Sequence, residues 1–274
     1  MTRSQSDTLA VACIQLNSGD DLQANLLRAA NLIRKAAEAG CGLALLPENF
    51  SFMGATEEAK FEIAETQESS SVLEFLSEQA RMHNMAIVGG SILLQYVGNN
   101  RVRNCSPAFS AEGELLAYYD KIHLFDAILP HETYSESNTV ESGSQPKMVE
   151  MGNWKLGLSI CYDLRFPKLY RHYSAHDCNI LTVPAAFTVP TGKAHWETLL
   201  RARAIENQCY VLAAAQYGNH PGERKTWGHS MIIDPWGKVL AEMENEEGFI
   251  TAEISLDRVK EVRSILPALT HRRL

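Results

Sequence analysis

The chain has 274 residues, with 33 acidic and 25 basic side chains and a formal net charge of -8. That length suits one or two domains, and 45% hydrophobic against 21% charged residues is a globular composition, not a disordered one. The acidic balance speaks against a nucleic-acid partner, which needs clustered Lys and Arg for phosphate contacts. The first residues lack the basic-then-apolar pattern of a secretory signal. The longest largely apolar run, Met85 to Leu94, is far short of the roughly 20 residues that span a bilayer. A cytoplasmic protein without a membrane partner is expected. None of the six cysteines (Cys13, Cys41, Cys105, Cys161, Cys178, Cys209) forms a Cys-x-x-Cys pair, so most are expected to be buried free thiols.

Along the chain, short β-branched runs alternate with helical patterns. Leu9 to Leu16 reads as a strand. Leu22 to Ala39 reads as a helix with Leu22, Leu26, Ala29, Ala30 and Ile33 on one face, ended by Gly40. Leu43 to Leu46 is a strand closed by Pro47. Ser71 to Met82 is helical with a stripe of Val72, Phe75, Leu76 and Gln79. Three strands follow, Met85 to Leu93, Arg101 to Ser110 and Glu114 to Tyr119, the last two joined by the turn Ala111-Glu112-Gly113. Residues 120 to 146 have no period, and an unstructured stretch of that length is often functional. The spacing then predicts a strand Lys155 to Ile160, a helix Arg165 to Ser174, a strand Ile180 to Val183, a helix Gly192 to Asn207 and a strand Tyr210 to Ala215. A hairpin pairs His229 to Asp234 with Gly237 to Ala241, and Phe249 to Ile254 is the last strand. With no repeat or linker, 1–274 reads as a single α/β domain with mixed sheets, its segment from about 255 to 274 serving packing or dimerisation.

Several motifs are excluded. His131-Glu132 is followed at position 135 by Ser135 where a zinc-protease motif needs His. Gly40 and Gly42 lack the third Gly of a dinucleotide fingerprint, and no Walker A sequence occurs. Gly157-Leu158-Ser159 starts like a serine-hydrolase elbow, but position 161 is Cys161 where the motif has Gly. That near miss puts a cysteine on a strand-to-helix turn, where exposure and the helix dipole favour thiolate and the Tyr162 N–H can face a developing oxyanion. A buried structural thiol is the other reading, and spacing alone leaves both open.

Two more strand ends carry unusual charge. Glu48 follows Leu43-Ala44-Leu45-Leu46-Pro47 directly, and Lys121 stands between Tyr118-Tyr119-Asp120 and Ile122-His123-Leu124-Phe125. Each alone fits a solvated strand end or an ion pair. Ligands gather outside the carboxyl ends of strands in α/β sheets, so the three could share one pocket. There a desolvated Glu would take the thiol proton and activate water, and a Lys would stabilise a tetrahedral oxyanion.

These segments, Leu-Leu-Pro-Glu-Asn-Phe around Glu48, Tyr-Asp-Lys-Ile-His-Leu-Phe around Lys121 and Gly-Leu-Ser-Ile-Cys-Tyr-Asp-Leu-Arg-Phe-Pro around Cys161, resemble the three signatures of the nitrilase superfamily, in the family's order. The resemblance extends from about Ala10 to Leu266-Pro267. It implies a four-layer αββα sandwich, an amide-type carbon–nitrogen hydrolase with a small-molecule amide substrate, no metal or organic cofactor, and a homodimer or higher homo-oligomer. It implies Cys161 as nucleophile, Glu48 as general base and Lys121 as oxyanion-stabilising residue. A second Glu often follows the Lys in this family, and Glu136 in Tyr134-Ser135-Glu136-Ser137 fits that place, with Glu132 and Glu141 as neighbours in the same loop. Segments such as Gly192-Lys193-Ala194-His195-Trp196-Glu197 and Ala213-Ala214-Ala215-Gln216 resemble the amidase branch, most of all the amidases of deaminated glutathione. These release 2-oxoglutarate and cysteinylglycine from the α-keto analogue of glutathione. Amidases acting on the ω-amide of 2-oxo acids and, further off, true nitrilases are the alternatives within the family. Outside it stand a metal-dependent amidohydrolase, for which no ligand-spaced motif speaks, and a non-catalytic binding scaffold.

Of the remaining candidates, Arg165 opens the helix after the nucleophile turn and could grip a substrate carboxylate in bidentate geometry or form a structural pair. Phe187 and Thr191 follow the strand from Ile180 and are placed on the pocket wall, with Tyr162. Packing is expected of His195, Trp196, Trp227 and Trp236, and ion pairing of Arg201 and Arg203. Specificity is expected in the loops 126 to 146 and 185 to 193. The charge of -8 does not exclude an anionic substrate, because Lys121 and Arg165 can set the local field against the global one.

Overall fold

The computed structural model describes residues 7–96, 98, 100–129 and 133–273. In chain order its first half contains β1 (Thr8–Gln15), α1 (Leu22–Glu38), β2 (Leu43–Leu45), α2 (Ala59–Ile63), β3 (Glu65–Thr66), α3 (Ser71–His83), β4 (Ala86–Val88), β5 (Ile92–Gln95), β6 (Val102–Phe109), β7 (Leu115–Asp120), β8 (Asp126–Ile128) and β9 (Thr133–Ser135). The second contains β10 (Met148–Met151), β11 (Trp154–Leu158), α4 (Pro167–Ala175), β12 (Ile180–Ala185), α5 (Val189–Asn207), β13 (Tyr210–Ala215), β14 (Tyr217–Asn219), β15 (Lys225–Trp227), β16 (Met231–Ile233), β17 (Val239–Glu242), β18 (Gly248–Ser255) and α6 (Leu256–Ile265).

Strand β1 shows why the fold has four layers. Side chains alternate across a strand, yet Val11, Ala12, Cys13 and Ile14 are all fully buried, so both faces of its sheet are covered. Val11 and Cys13 share one core with Leu43 and Leu45 and with Leu156, Leu158, Ile180 and Leu212 of a second sheet. Ala12, Ile14 and Ala44 pack on the other side against Leu26, Ile33, Leu76 and Ala80 of α1 and α3. The first sheet runs β18-β1-β2-β4-β6-β5-β3 with β7 on β6, the second β10-β11-β12-β13-β16-β17, and both mix parallel and antiparallel pairs. Helices α4 and α5 cover the far face of the second sheet through Tyr170, Trp196 and Leu200. The layers are therefore αββα. Leu16 and Gln216 bridge in parallel just past β1 and β13, which brings the carboxyl ends of the two sheets together. Among the described residues no helix is long and apolar enough to cross a membrane.

The departures from expectation have local causes. Met85 to Leu93 is two strands, because Gly90 takes a positive φ of 56° with its Cα against Pro47; a Cβ there would lie 2.0 Å from the Pro47 carbonyl oxygen. The buried stripe of α3 is Val72, Leu73, Leu76 and Ala80, and Phe75 and Gln79 are only half-buried. That of α1 adds Asn25, Leu32 and Ala36. Residues 120–146 contain the ribbon β8–β9, and β10 and the ribbon β14–β15 were not anticipated. A 3₁₀ turn, Cys161–Arg165, precedes α4, which starts only at Pro167. Trp236 is 51% exposed at its hairpin tip and does not pack there. The C-terminal segment lies on the second sheet: Val259 and Val262 of α6 are buried, and Gln208 donates to the Leu266 carbonyl.

Candidate active site

Glu48, Lys121 and Cys161 each stand just beyond a strand that points to the same end of the sandwich. Glu48 follows β2, where the Gln216 side chain donates to its carbonyl (3.0 Å) and Asn49, at a φ of 55°, donates its N–H to Ser91. Lys121 follows β7 and is pinned by two backbone bonds, its N–H to Asn104 (2.9 Å) and its carbonyl from Gly143 (2.8 Å). Cys161 follows β11 at a φ of 48°, a left-handed conformation that a non-glycine residue holds only where its surroundings impose it.

The restraint on Cys161 is Asp163. Its fully buried carboxylate accepts the Ile160 N–H (2.9 Å) and the Tyr119 hydroxyl (2.7 Å) on one oxygen. On the other it accepts the His123 N–H (3.0 Å) and meets His123 Nδ1 (2.7 Å). Asp163 thus ties the nucleophile turn to the strand end that carries Lys121. Sequence reasoning missed this role. The available signal was an acid between Tyr162 and Leu164, two residues past the nucleophile candidate.

Lys121 is the hub. Its Nζ donates to Glu48 Oε1 (2.9 Å) and to both oxygens of Glu136 (3.0 and 2.8 Å). Asn104 Nδ2 donates to the same two carboxylates (3.0 and 3.2 Å). Glu48 Oε2 accepts the Ala186 N–H (2.9 Å), and Glu136 Oε2 also accepts the Phe125 N–H (2.7 Å). Lys121 and Glu48 are each 2% exposed and Glu136 is 8% exposed, so the cluster is a buried charged network with nearly every oxygen satisfied. Burial opposes the ammonium of Lys121, but Glu136 and Glu48 outweigh it and hold its pKa well above the usual lysine range. Burial likewise opposes the Glu136 carboxylate, and Lys121, Lys60 and the Phe125 N–H overcome it and hold its pKa low. Glu136 is thus the acid of its loop that the structure brings to Lys121. Glu141 instead pairs with Arg103 (3.1 Å), and Glu132 lies outside the described residues.

The Cys161 thiol contacts Glu48 and the Ala186 N–H. Burial and then the Glu48 carboxylate raise its pKa well above the usual thiol value, against the pull of Lys121. The expected thiolate-favouring environment is thus corrected: α4 begins six residues away, too far for its dipole to dominate. A neutral thiol beside a carboxylate needs that carboxylate as its base.

These groups open into one pocket. Tyr162, Arg165, Phe187 and Thr191 all line it. The Arg165 guanidinium lies over the rings of Tyr162 (5.7 Å) and Phe187 (5.4 Å) and meets His195 Nδ1 (3.3 Å). His195 is exposed, not packed, whereas Trp196 is buried and donates to the His229 carbonyl. Arg203 pairs with Glu206 and Arg201 with Glu197, as expected. Asn49, Glu57, Lys60, Tyr134 and Arg224 also line the pocket, so two segments besides the anticipated loops shape it.

Residues 10–264 match the family described as carbon-nitrogen hydrolase. The chain is 45% identical to the deaminated glutathione amidase of Synechocystis sp. over 95% of this chain and 97% of that one. It is 37% identical to omega-amidase NIT2 of Mus musculus, over 97% and 95%. Among solved structures it is similar to Saccharomyces cerevisiae Nit3, a member of branch 10 of the nitrilase superfamily, with TM-score 0.89, 32% identity and 98% of both chains covered. Motifs, layers and relatives agree: the chain belongs to the carbon-nitrogen hydrolase family, the nitrilase superfamily that its three strand-end segments resemble.

Proposed function

We propose that this enzyme hydrolyses the amide bond of deaminated glutathione, giving 2-oxoglutarate and cysteinylglycine, with Cys161, Glu48, Lys121 and Glu136 as its machinery. The observation that carries the mechanism is the buried thiol of Cys161 facing Glu48, which Lys121 links to Glu136. The substrate rests on the 45% identity to a deaminated glutathione amidase. A second reading, hydrolysis of the ω-amide of a 2-oxo acid, has the 37% identity to an omega-amidase behind it.

Glu48 accepts the thiol proton as Sγ bonds to the amide carbon, and the carbonyl electrons move to oxygen. The Lys121 ammonium and the Tyr162 N–H, one of the donors that the start of a helical turn leaves without a partner in the turn, hold that oxyanion. The C–N bond breaks as Glu48 returns the proton to nitrogen, and an acyl thioester remains on Cys161. Water then gives a proton to Glu48 and adds to the thioester carbon. Collapse expels sulfur, which is reprotonated by Glu48, and the acid is released. Glu136 is a positioning residue that keeps Lys121 charged and aimed. Arg165 has no carboxylate partner among the described residues, and we assign it the carboxylate of the acyl half.

In this reading 1–274 acts as one domain in the cytoplasm and assembles as a homodimer or higher homo-oligomer. The test is a side-by-side kcat/KM for deaminated glutathione, 2-oxoglutaramate and a simple nitrile. Deaminated glutathione is expected to lead; a lead for 2-oxoglutaramate moves the assignment to ω-amidase, and a lead for the nitrile overturns both.

A further inference from the structure

One wall of the pocket is a row of aromatic rings with a guanidinium at each end. Arg165 lies over Tyr162, the Tyr162 ring meets Phe125 at 5.1 Å between centroids, Phe125 meets Tyr134 at 4.9 Å, and Arg224 lies over Tyr134 at 5.6 Å. Three cations other than Lys121 line this pocket. Lys60 is neutralised by Glu57. Arg165 and Arg224 pair with no carboxylate among the described residues, and Arg224 Nε is buried without a hydrogen-bond partner. Leaving a guanidinium half-buried and unpaired costs free energy unless an anion completes it.

Arg224 also lines a second cleft beside the catalytic pocket, together with Phe52, Met53 and Leu93. The two spaces share Asn49, Glu57, Lys60 and Arg224. A substrate anchored at Arg165 that runs along this row of rings has Arg224 at its other end. The segment that presents Arg224 is held in place. The buried ring of His220 meets the Ser18 carbonyl (2.8 Å) and Thr226 Oγ1 (2.7 Å), and the His220 N–H donates to the Arg224 carbonyl (2.8 Å).

We propose that Arg224 is a specificity residue that binds a carboxylate on the leaving-group side of the scissile amide, so the enzyme selects amides with a carboxylate at both ends over ω-amides with one. Deaminated glutathione carries such a second carboxylate on its terminal glycine, whereas 2-oxoglutaramate releases only ammonia. The inference rests on the function proposed above and names the residue that separates its two readings.

The experiment compares wild type, Arg224→Gln and Arg224→Lys on deaminated glutathione, on the same compound with its glycine carboxylate amidated, and on 2-oxoglutaramate. In wild type, amidating the terminal carboxylate is expected to lower kcat/KM about 10–100-fold, mostly through KM, as befits one charge-assisted contact. Arg224→Gln should lower the ratio of kcat/KM for deaminated glutathione over 2-oxoglutaramate by a similar factor and abolish the amidation penalty. Arg224→Lys should restore part of both, because it keeps the charge but loses the fork. If wild type prefers deaminated glutathione and Arg224→Gln leaves the ratio and the penalty intact, the Arg224 assignment alone is overturned. A variant that loses activity equally on all three compounds also overturns it, since that is a purely structural role. If wild type prefers 2-oxoglutaramate, the assignment falls together with the proposed substrate.

Discussion

Cys161 and Cys209 belong to one sheet and sit at opposite ends of its parallel strands. Cys161 follows the carboxyl end of β11, and Cys209 precedes the amino end of β13. Both are buried, 8% and 0% exposed, and burial alone would raise both thiol pKa values. The net directions nevertheless differ. At Cys209 burial is outweighed by the Cys178 thiol and Arg263, and the pKa falls below the ordinary thiol value. At Cys161 burial and Glu48 win over Lys121, and it rises. The thiol that ionises more easily is the one sealed against the Cys178 and Asn207 carbonyls, away from the pocket. The thiol we assign to catalysis is harder to ionise at rest, because burial and then the Glu48 charge oppose the thiolate, and the same Glu48 can take its proton during attack. A low resting pKa is therefore a poor guide to the nucleophile in this molecule. A neighbouring base, a neighbouring cation and an open cavity are better ones.

The comparison breaks most visibly under deletion. Cys161→Ala should lower kcat/KM by at least about 10⁴-fold, whereas Cys209→Ser should leave it within about 3-fold and lower only Tm. Steady-state rates and thermal melts of the two variants check this. Equal losses in both would remove the distinction.

Glu48→Gln should lower kcat about 10²–10⁴-fold by removing the base. It should also move iodoacetamide labelling of Cys161 to lower pH, because a carboxylate that raises the thiol pKa is gone while Lys121 remains. Labelling rate against pH, read at Cys161 by peptide mapping, tests that sign. A shift to higher pH would contradict the electrostatic account.

Asp163→Asn should cost roughly 2–4 kcal/mol of stability, since it disrupts a fully buried network of four contacts. Denaturant melts measure it, and kcat should fall as well because the Cys161 turn loses its tie to Lys121. A change below about 0.5 kcal/mol would show that Asp163 does not hold the turn.

The smallest effect is a pH dependence of stability away from the catalytic groups. Burial brings the His220 pKa from 6.5 down to about 4. The unfolded chain then takes up a proton below pH 6.5 that the folded chain refuses until about pH 4, so stability falls across that window and is flat above it. The loss is at most roughly 3 kcal/mol. Tm against pH should show it, and His220→Asn should flatten the curve between pH 6.5 and 4.

Much of this molecule was legible because its strands are short apolar runs and three of its candidate site residues follow such runs directly. Glu48, Lys121 and Cys161 stand out as polar groups just beyond strand ends, and Glu136 follows from the family pattern. Tertiary contacts decided what was not legible. Asn104 sits inside strand β6 and becomes a shared donor only when Glu48 and Glu136, 56 and 32 residues away, fold against it. Asp163 acts through Tyr119 and His123, some 40 residues earlier. Lys60 and Arg224 come from segments with no hydrophobic period, and only the cavity brings them to one wall. The stretch 120–146 read as structureless because the three-residue strands β8 and β9 are too short to display alternation.

The most direct test of the central claim is intact-protein mass spectrometry during turnover of a slow amide substrate, with peptide mapping of any adduct. The account predicts an acyl mass on Cys161 in wild type, none in Cys161→Ala, and none on Cys209 in either. An acyl adduct on another residue, or full activity in Cys161→Ala, would contradict it.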